Sequence, residues 1–197
     1  LKAALIDAFR RGEDIHDRTA LKVFGTASGL SEHELRRRAK IINYALLYGK
    51  TAFTLAKDIG VSQQAAQEFI DAYFAGYPGV RRYLDAVIEE ARKTTIVRTI
   101  TGRRRLVPEI TSQNGQVRGA AERAAVNMPI QGTAADILKR AMIDLARELE
   151  SHATEWPGTR MILTVHDELL FETPADRAPA LISLVRERME HGFELAV

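Results

Sequence analysis

Arg36-Arg37-Arg38-Ala39-Lys40-Ile41-Ile42-Asn43-Tyr44-Ala45-Leu46-Leu47-Tyr48-Gly49 reads as a helix with two unlike faces. Leu35, Ala39, Ile42 and Leu46 recur at helical spacing and form a stripe fit for burial. Arg36, Lys40 and Tyr44 follow one another at intervals of four on a different face, drifting only about 40° per step. Leu47 shares that second face and interrupts it. Upstream, Ser31 followed by Glu34 fits a capping box, and Gly49 supplies a stop. The predicted helix therefore runs from Glu32 to about Leu47. Two fixed cations one turn apart, near a helix N-terminus with unpaired N–H groups, suit a polyphosphate. A charge run by itself more often makes a solvated face. The spacing, with Tyr44 and Tyr48 trailing the cations, favours a ligand.

Working outward, most of the chain reads as helix. Residues 3–11 and 15–24 carry helix-forming composition on either side of the Gly12-Glu13-Asp14 break. Short helices follow over 52–58 and from Ser62 to about Phe74, and another over 80–93 after Gly76-Tyr77-Pro78-Gly79. The β-branched run Thr94–Thr101 predicts a strand, and Gly102 with Arg103, Arg104 and Arg105 turns it into Leu106-Val107-Pro108. A helix over 116–128 is expected to stop at Pro129. The next, over 133–149, has Ala134, Leu138, Ala141, Leu145 and Leu149 on one stripe. Arg160–Val165 and Glu168–Glu172 predict a hairpin around a polar tip, and residues 176–193 a last amphipathic helix. A long helical block followed by a little sheet gives an α+β class, mostly helical, with helices on one face of an antiparallel sheet.

Composition sets outer bounds. The 197 residues are 46% hydrophobic and 27% charged, which is globular. The absence of cysteine removes disulfide scaffolds, thiol nucleophiles and Cys-ligated metal sites, and suits a reducing or redox-indifferent compartment. No apolar run approaches the roughly 18 residues of a membrane span, and Leu1-Lys2-Ala3 does not open a signal peptide. The net charge of +2 is unevenly spread. Residues 1–110 hold 19 Lys and Arg against 13 Asp and Glu, whereas 111–197 hold 9 against 13. A basic half can face phosphates and an acidic half can hold divalent cations.

The pattern formed by Arg36, Lys40, Asn43, Tyr44, Tyr48 and Gly49 resembles the nucleotide-binding motif of family A DNA polymerases, the bacterial DNA polymerase I type. Two further signatures follow in the family's order, at Arg123–Thr133 and at Val165-His166-Asp167-Glu168-Leu169. Asp14-Ile15-His16 and Gly102-Arg103-Arg104-Arg105 match as well. Several motifs in order are far more specific than any one. The resemblance covers the chain from about Ile15 to the final helix. It implies fingers helices over 1–95 and a partial palm over 96–197, whose antiparallel sheet includes the hairpin carrying Asp167.

The resemblance also implies roles. Arg36 and Lys40 would hold the triphosphate of an incoming dNTP, Lys40 also neutralising the leaving pyrophosphate as a catalytic residue. His16 would touch the same phosphates, and Tyr44 would pack on the sugar and base. Many family members carry Phe at this last position, and Tyr there is linked to tolerance of chains lacking a 3′-hydroxyl. Tyr48 would stack near the template base. Asp167 would be the catalytic metal ligand, with Glu168 a weaker second. The cofactor is then two Mg²⁺ ions in a phosphoryl transfer. His166 would meet the primer end. Arg123, Asn127 and Gln131 would face the minor groove, whose acceptors vary little among base pairs. Arg103 and Arg104 would add contacts to the DNA backbone.

The partners so implied are primer–template DNA, dNTPs and the remainder of a polymerase, with no membrane. A bacterial protein of this type would sit in the cytoplasm at the nucleoid; organellar and phage origins stay open. A second essential Asp and the residue that excludes ribonucleotides are expected on a strand upstream of Leu1. The thumb and any exonuclease domains are expected upstream too, and further palm strands beyond Val197. Two readings follow: template-directed DNA synthesis by nucleotidyl transfer, this chain being an incomplete piece of the polymerase domain, or a catalytically inactive binding module that keeps the fold. The joint retention of Arg36, Lys40, Tyr44 and Asp167 favours the first.

Overall fold

The computed structural model describes residues 2–25 and 29–195. Leu1 and Val197, where the sequence reading placed the cut ends, lie outside that range. The fold is α+β and mostly helical, as expected. Packing divides it into two compact units, one running to Ile130 and one beginning at Gln131.

In the first unit, α1 (Lys2–Arg10), α2 (Ile15–Phe24), α3 (Glu32–Leu47), α4 (Ala52–Ile59), α5 (Gln63–Gly76) and α6 (Pro78–Thr94) succeed one another through short breaks. Asp14 caps α2 by accepting from the N–H groups of His16 and Asp17. Ser31 caps α3 by accepting from Glu34 N–H at 3.3 Å. The other half of the expected capping box does not form. Glu34 turns instead to Arg37 and Arg38, at 2.7 Å from each, because ion pairing on the outer face satisfies its carboxylate better than one exposed N–H. A true capping box stands at the start of α4, between Thr51 and Thr54. Pro78 opens α6 at a position where a missing N–H costs nothing.

The predicted buried stripe of α3 largely holds. Ala39 and Ile42 are fully buried and Leu46 nearly so, while Leu35 is half-buried. Ile42 and Leu46 pack with Leu55, Ile70, Tyr73 and Leu84 into one core. A second cluster joins Ala91, Val97, Val107 and Ile110 to Ala121, Ala125 and Met128. The strand expected over Thr94–Thr101 is cut to β1 (Ile96–Arg98), paired antiparallel with β2 (Arg104–Leu106). Thr94 ends α6, its hydroxyl donating back to Glu90 O at 2.9 Å, and Thr95 turns left-handed at φ 56°. At the far end Thr99 Oγ1 accepts from Arg103 N–H at 3.0 Å and closes the turn. Local capping and turn chemistry thus override β-branched propensity.

Pro129 does not stop its helix. After a short 3₁₀ turn at Pro108–Thr111, α7 runs unbroken from Gly115 to Ser151. An interior proline forfeits one backbone bond, but alanine-rich turns flank it and Met128 is buried, so packing and cooperative helix growth carry the chain through.

The second unit continues from α7 to β3 (Arg160–Val165), β4 (Glu168–Glu172) and α8 (Ala178–His191). The hairpin strands lie where the sequence placed them. Register runs from Arg160↔Glu172 to Val165↔Glu168, with an irregularity between Met161 and Leu163. The two pairs of strands form separate two-stranded sheets, not one sheet under the helices, since each hairpin closes on itself. Of the stripe expected over 133–149, Ala141 and Leu145 are buried, Leu138 and Leu149 half-buried and Ala134 exposed. Among the described residues no helix is long and apolar enough to cross a membrane.

Ile42 sits where α3 meets the core with no accessible surface. Ile42→Ala should therefore cost about 2–5 kcal/mol, against less than about 0.5 for Ile100→Ala on the surface. Urea denaturation followed by circular dichroism checks it, and equal midpoints for the two variants would contradict this packing.

Candidate active site

The first unit gathers four of the singled-out side chains on the surface where α2 meets α3. His16 is half-buried, its ring centroid 6.0 Å from that of Tyr44. Tyr44 is 48% exposed and stacks on Tyr48, centroids 6.3 Å apart. Arg37, Lys40, Tyr44, Tyr48 and Lys50 line an open cavity of about 480 Å³. The exposed Lys40 makes no ion pair among the described residues. Leu47, which interrupted the polar face in the sequence, packs partly against the core.

Arg36 is engaged. Its guanidinium donates to Asp14 Oδ2 at 2.6 and 3.2 Å and lies 3.5 Å from Asp17. The N-cap of α2 is thereby the counter-ion of α3. Hydrogen bonding from Arg36, helped by the His16 and Asp17 N–H groups, holds the Asp14 carboxyl down at about 2 against an ordinary 3.8. Burial pushes His16 below its ordinary 6.5, the nearby Arg36 and Lys40 cations add to this, and Asp14 and Asp17 oppose it. The environment accordingly favours the neutral imidazole. Asp14 carried a visible sequence signal, a capping residue before a helix, but its pairing with Arg36 spans 22 positions.

Gly49 follows α3 at φ +70°, and a Cβ there would lie 3.2 Å from Arg123 Cγ on α7. Glycine is needed twice, for the left-handed turn and for the close approach of Arg123. On the same helix Asn127 Oδ1 is buried without a hydrogen-bond partner among the described residues, an unusual and costly state that a bound donor would relieve. Gln131 is exposed and lies within α7, not in a break after it.

Arg103, Arg104 and Arg105 are all exposed. Arg98 stands directly opposite Arg104 across the β1–β2 pair, a like-charge arrangement that an anion relieves. Sequence reasoning passed over Arg98 because the pairing register was not visible in it.

In the second unit His166 and Asp167 form the two-residue tip between Val165 and Glu168. His166 holds φ 55°, a conformation rare outside glycine that concentrates at functional turns. Thr164 Oγ1 donates to Glu168 O at 3.0 Å across the base of the tip. Asp167 and Glu168 are exposed oxygen donors of the kind a hard divalent cation takes. Among the described residues no cluster of three His, Cys, Asp or Glu is poised for a metal. The donor type fits Mg²⁺, and the number falls short of a full cage.

A family model described as DNA polymerase family A matches residues 2–197. The chain belongs to that family. DNA polymerase I of Geobacillus stearothermophilus is 44% identical over 193 residues, covering 98% of this chain and 22% of the relative. DNA polymerase I of Mycobacterium tuberculosis strain H37Rv is 47% identical over 193 residues, covering 98% and 21%. A solved POL domain of Pol1 from M. smegmatis, in complex with DNA primer–template and dNTP, matches with a TM-score of 0.88 at 44% identity. That match covers 99% of this chain and 34% of the other. The chain thus spans about a fifth of the length of the curated family A relatives it matches.

The Asp14–Arg36 pair is complete above the ordinary carboxyl value of 3.8 and should be lost as pH falls through about 2. A carboxyl carbon NMR titration should place the Asp14 midpoint near 2, and Arg36→Gln should return it toward 3.8. A wild-type midpoint at 3.8 would mean that the pair does not persist in solution.

Proposed function

We propose that this chain serves template-directed DNA synthesis, the transfer of a deoxynucleotidyl group from a dNTP to a primer 3′-hydroxyl. The observation that carries the proposal is the convergence of His16, Arg36, Lys40 and Tyr44 on the α2–α3 surface. A polyphosphate needs cations and donors there, and a nucleoside needs an exposed ring. The M. smegmatis match, whose complex holds primer–template and dNTP, supports the same partners for this chain.

In this reading the fingers comprise residues 1–95 and the partial palm 96–197. Lys40, solvent-facing and without an ion pair among the described residues, binds the triphosphate and meets the charge that grows on the leaving pyrophosphate. Arg36 exchanges Asp14 for phosphate oxygens, so the α2 N-cap keeps the guanidinium aimed until the ligand arrives. His16 donates to the same phosphates, Tyr44 packs on the sugar and base, and Tyr48 stacks beside the template base. Asn127, whose Oδ1 is short of a partner, faces the minor groove together with Arg123 and Gln131. His166 meets the primer end, and Arg103 and Arg104 hold the DNA backbone. Asp167, with Glu168 as the weaker donor, would hold Mg²⁺, and a further carboxylate comes from outside these residues. Two bound ions supply activation of the 3′-hydroxyl and stabilisation of the leaving group.

Lys40→Ala, in a polymerase that carries this segment, should lose on the order of 10²-fold or more in single-nucleotide incorporation, a few kcal/mol of charge-assisted contact. Asp167→Ala should abolish incorporation. Wild-type turnover in either variant, measured by rapid-quench primer extension, would overturn the proposal.

A further inference from the structure

A line of buried polar atoms runs from the core out to this surface. Thr19 has no accessible surface, Tyr77 is 3% exposed and Asn43 is 6% exposed. Tyr77 Oη lies 3.2 Å from Thr19 Oγ1, Thr19 Oγ1 lies 3.1 Å from Asn43 Oδ1, and Asn43 Nδ2 lies 3.0 Å from His16 Nδ1. Three helix segments meet in it, α2 through His16 and Thr19, α3 through Asn43, and the α5–α6 junction through Tyr77.

The order of donors along this line is determined. Among the described residues the Tyr77 hydroxyl has Thr19 as its hydrogen-bond partner and no other. A buried hydroxyl hydrogen without an acceptor is costly, so Tyr77 donates and Thr19 accepts. Thr19 keeps its own hydrogen for Asn43 Oδ1, and this fixes the amide with Nδ2 toward His16. An amide nitrogen has no lone pair to offer, so His16 Nδ1 must accept. The reversed amide would donate to Thr19 and leave either the phenol or the Thr19 hydrogen without an acceptor in the core.

We infer that Asn43 is a positioning residue that, oriented by Thr19 and Tyr77, holds His16 as the neutral tautomer protonated at Nε2. The imidazole then presents Nε2–H outward as a fixed donor, and an anionic oxygen such as a phosphate oxygen is the matching acceptor. The consequence for binding rests on the nucleotide reading above; the tautomer does not. His16 so held contributes a directed hydrogen bond, whereas the positive charge at the site comes from Lys40 and Arg36. The low proton affinity that burial gives His16 agrees with this, since an imidazolium would turn a second N–H against Asn43 Nδ2.

Long-range nitrogen–proton correlation spectra of the imidazole rings in the ¹⁵N-labelled chain at pH 8 read the tautomer directly, with His16→Gln assigning the signal. The wild type should show His16 protonated at Nε2 alone. Asn43→Asp, which sets an acceptor-only carboxylate against the ring, should bring a proton to Nδ1. Thr19→Val, which removes the donor that orients the Asn43 amide, should yield both tautomers, and it keeps the test alive if Asn43→Asp fails to fold. A wild-type Nδ1–H ring, or a pure Nε2–H ring in both variants, would overturn the inference. Titration with dATP and Mg²⁺ separates the two layers: Asn43→Asp should weaken binding about tenfold or more. Wild-type chain that has the expected tautomer but no dATP affinity would overturn the nucleotide reading and leave the positioning of His16 standing.

Discussion

The packing of α3 against α2 is the constraint on which the rest of the first unit depends. One helix must seal a core and offer a charged surface at once. Ala39, Ile42 and Leu46 do the first, with almost no accessible area left. Arg36, Lys40 and Tyr44 do the second from positions a few ångströms away on the same cylinder. Because the inner face is locked by close packing, the outer side chains inherit a fixed origin and need little further ordering before they meet a ligand. The Thr19–Asn43–His16 line carries the same rigidity across the seam in hydrogen bonds, where an apolar seam would fix position but not direction.

Charge at this seam is balanced by what the fold can spare. Asp14 caps α2 and also neutralises Arg36, so one carboxylate satisfies a helix terminus and a guanidinium. Lys40, without an ion pair among the described residues, is left as an available cation. The proposed reaction has to recruit triphosphates and also let pyrophosphate go. An arginine with a resident counter-ion beside a lysine without one is a chemically sensible division of that work.

The polar elements elsewhere sit at places of local tension. His166 takes a left-handed backbone at the hairpin tip, Asn127 buries an acceptor without a partner among the described residues, and Arg98 faces Arg104 across two strands. Each is unfavourable in isolation. Each is also the kind of tension that a bound anion, cation or base edge relieves, which is why such features concentrate where proteins meet ligands.

Much of this was legible in the residues themselves. Helical period, capping residues and glycine stops located α3 to the residue, and alternation around a polar tip located the β3–β4 hairpin, because these depend on neighbours a few positions apart. The spacing of Arg36, Lys40 and Tyr44 likewise put them on one face without any fold. Propensity misled where distant packing outweighed it. Pro129 reads as a stop, yet α7 passes through it, and Thr94–Thr101 reads as a strand, yet capping and a turn leave three residues of it. The sequence by itself therefore determined the helices other than α7, the buried stripe of α3 and the candidate phosphate face. Only the tertiary structure decided that Asp14 pairs with Arg36, that Arg98 opposes Arg104, and that Thr19, Tyr77 and Asn43 converge on His16. The first and the last depend on which segments meet across 22 to 58 positions of chain, of which a short-range pattern carries no record, and the second depends on the register of the β1–β2 hairpin.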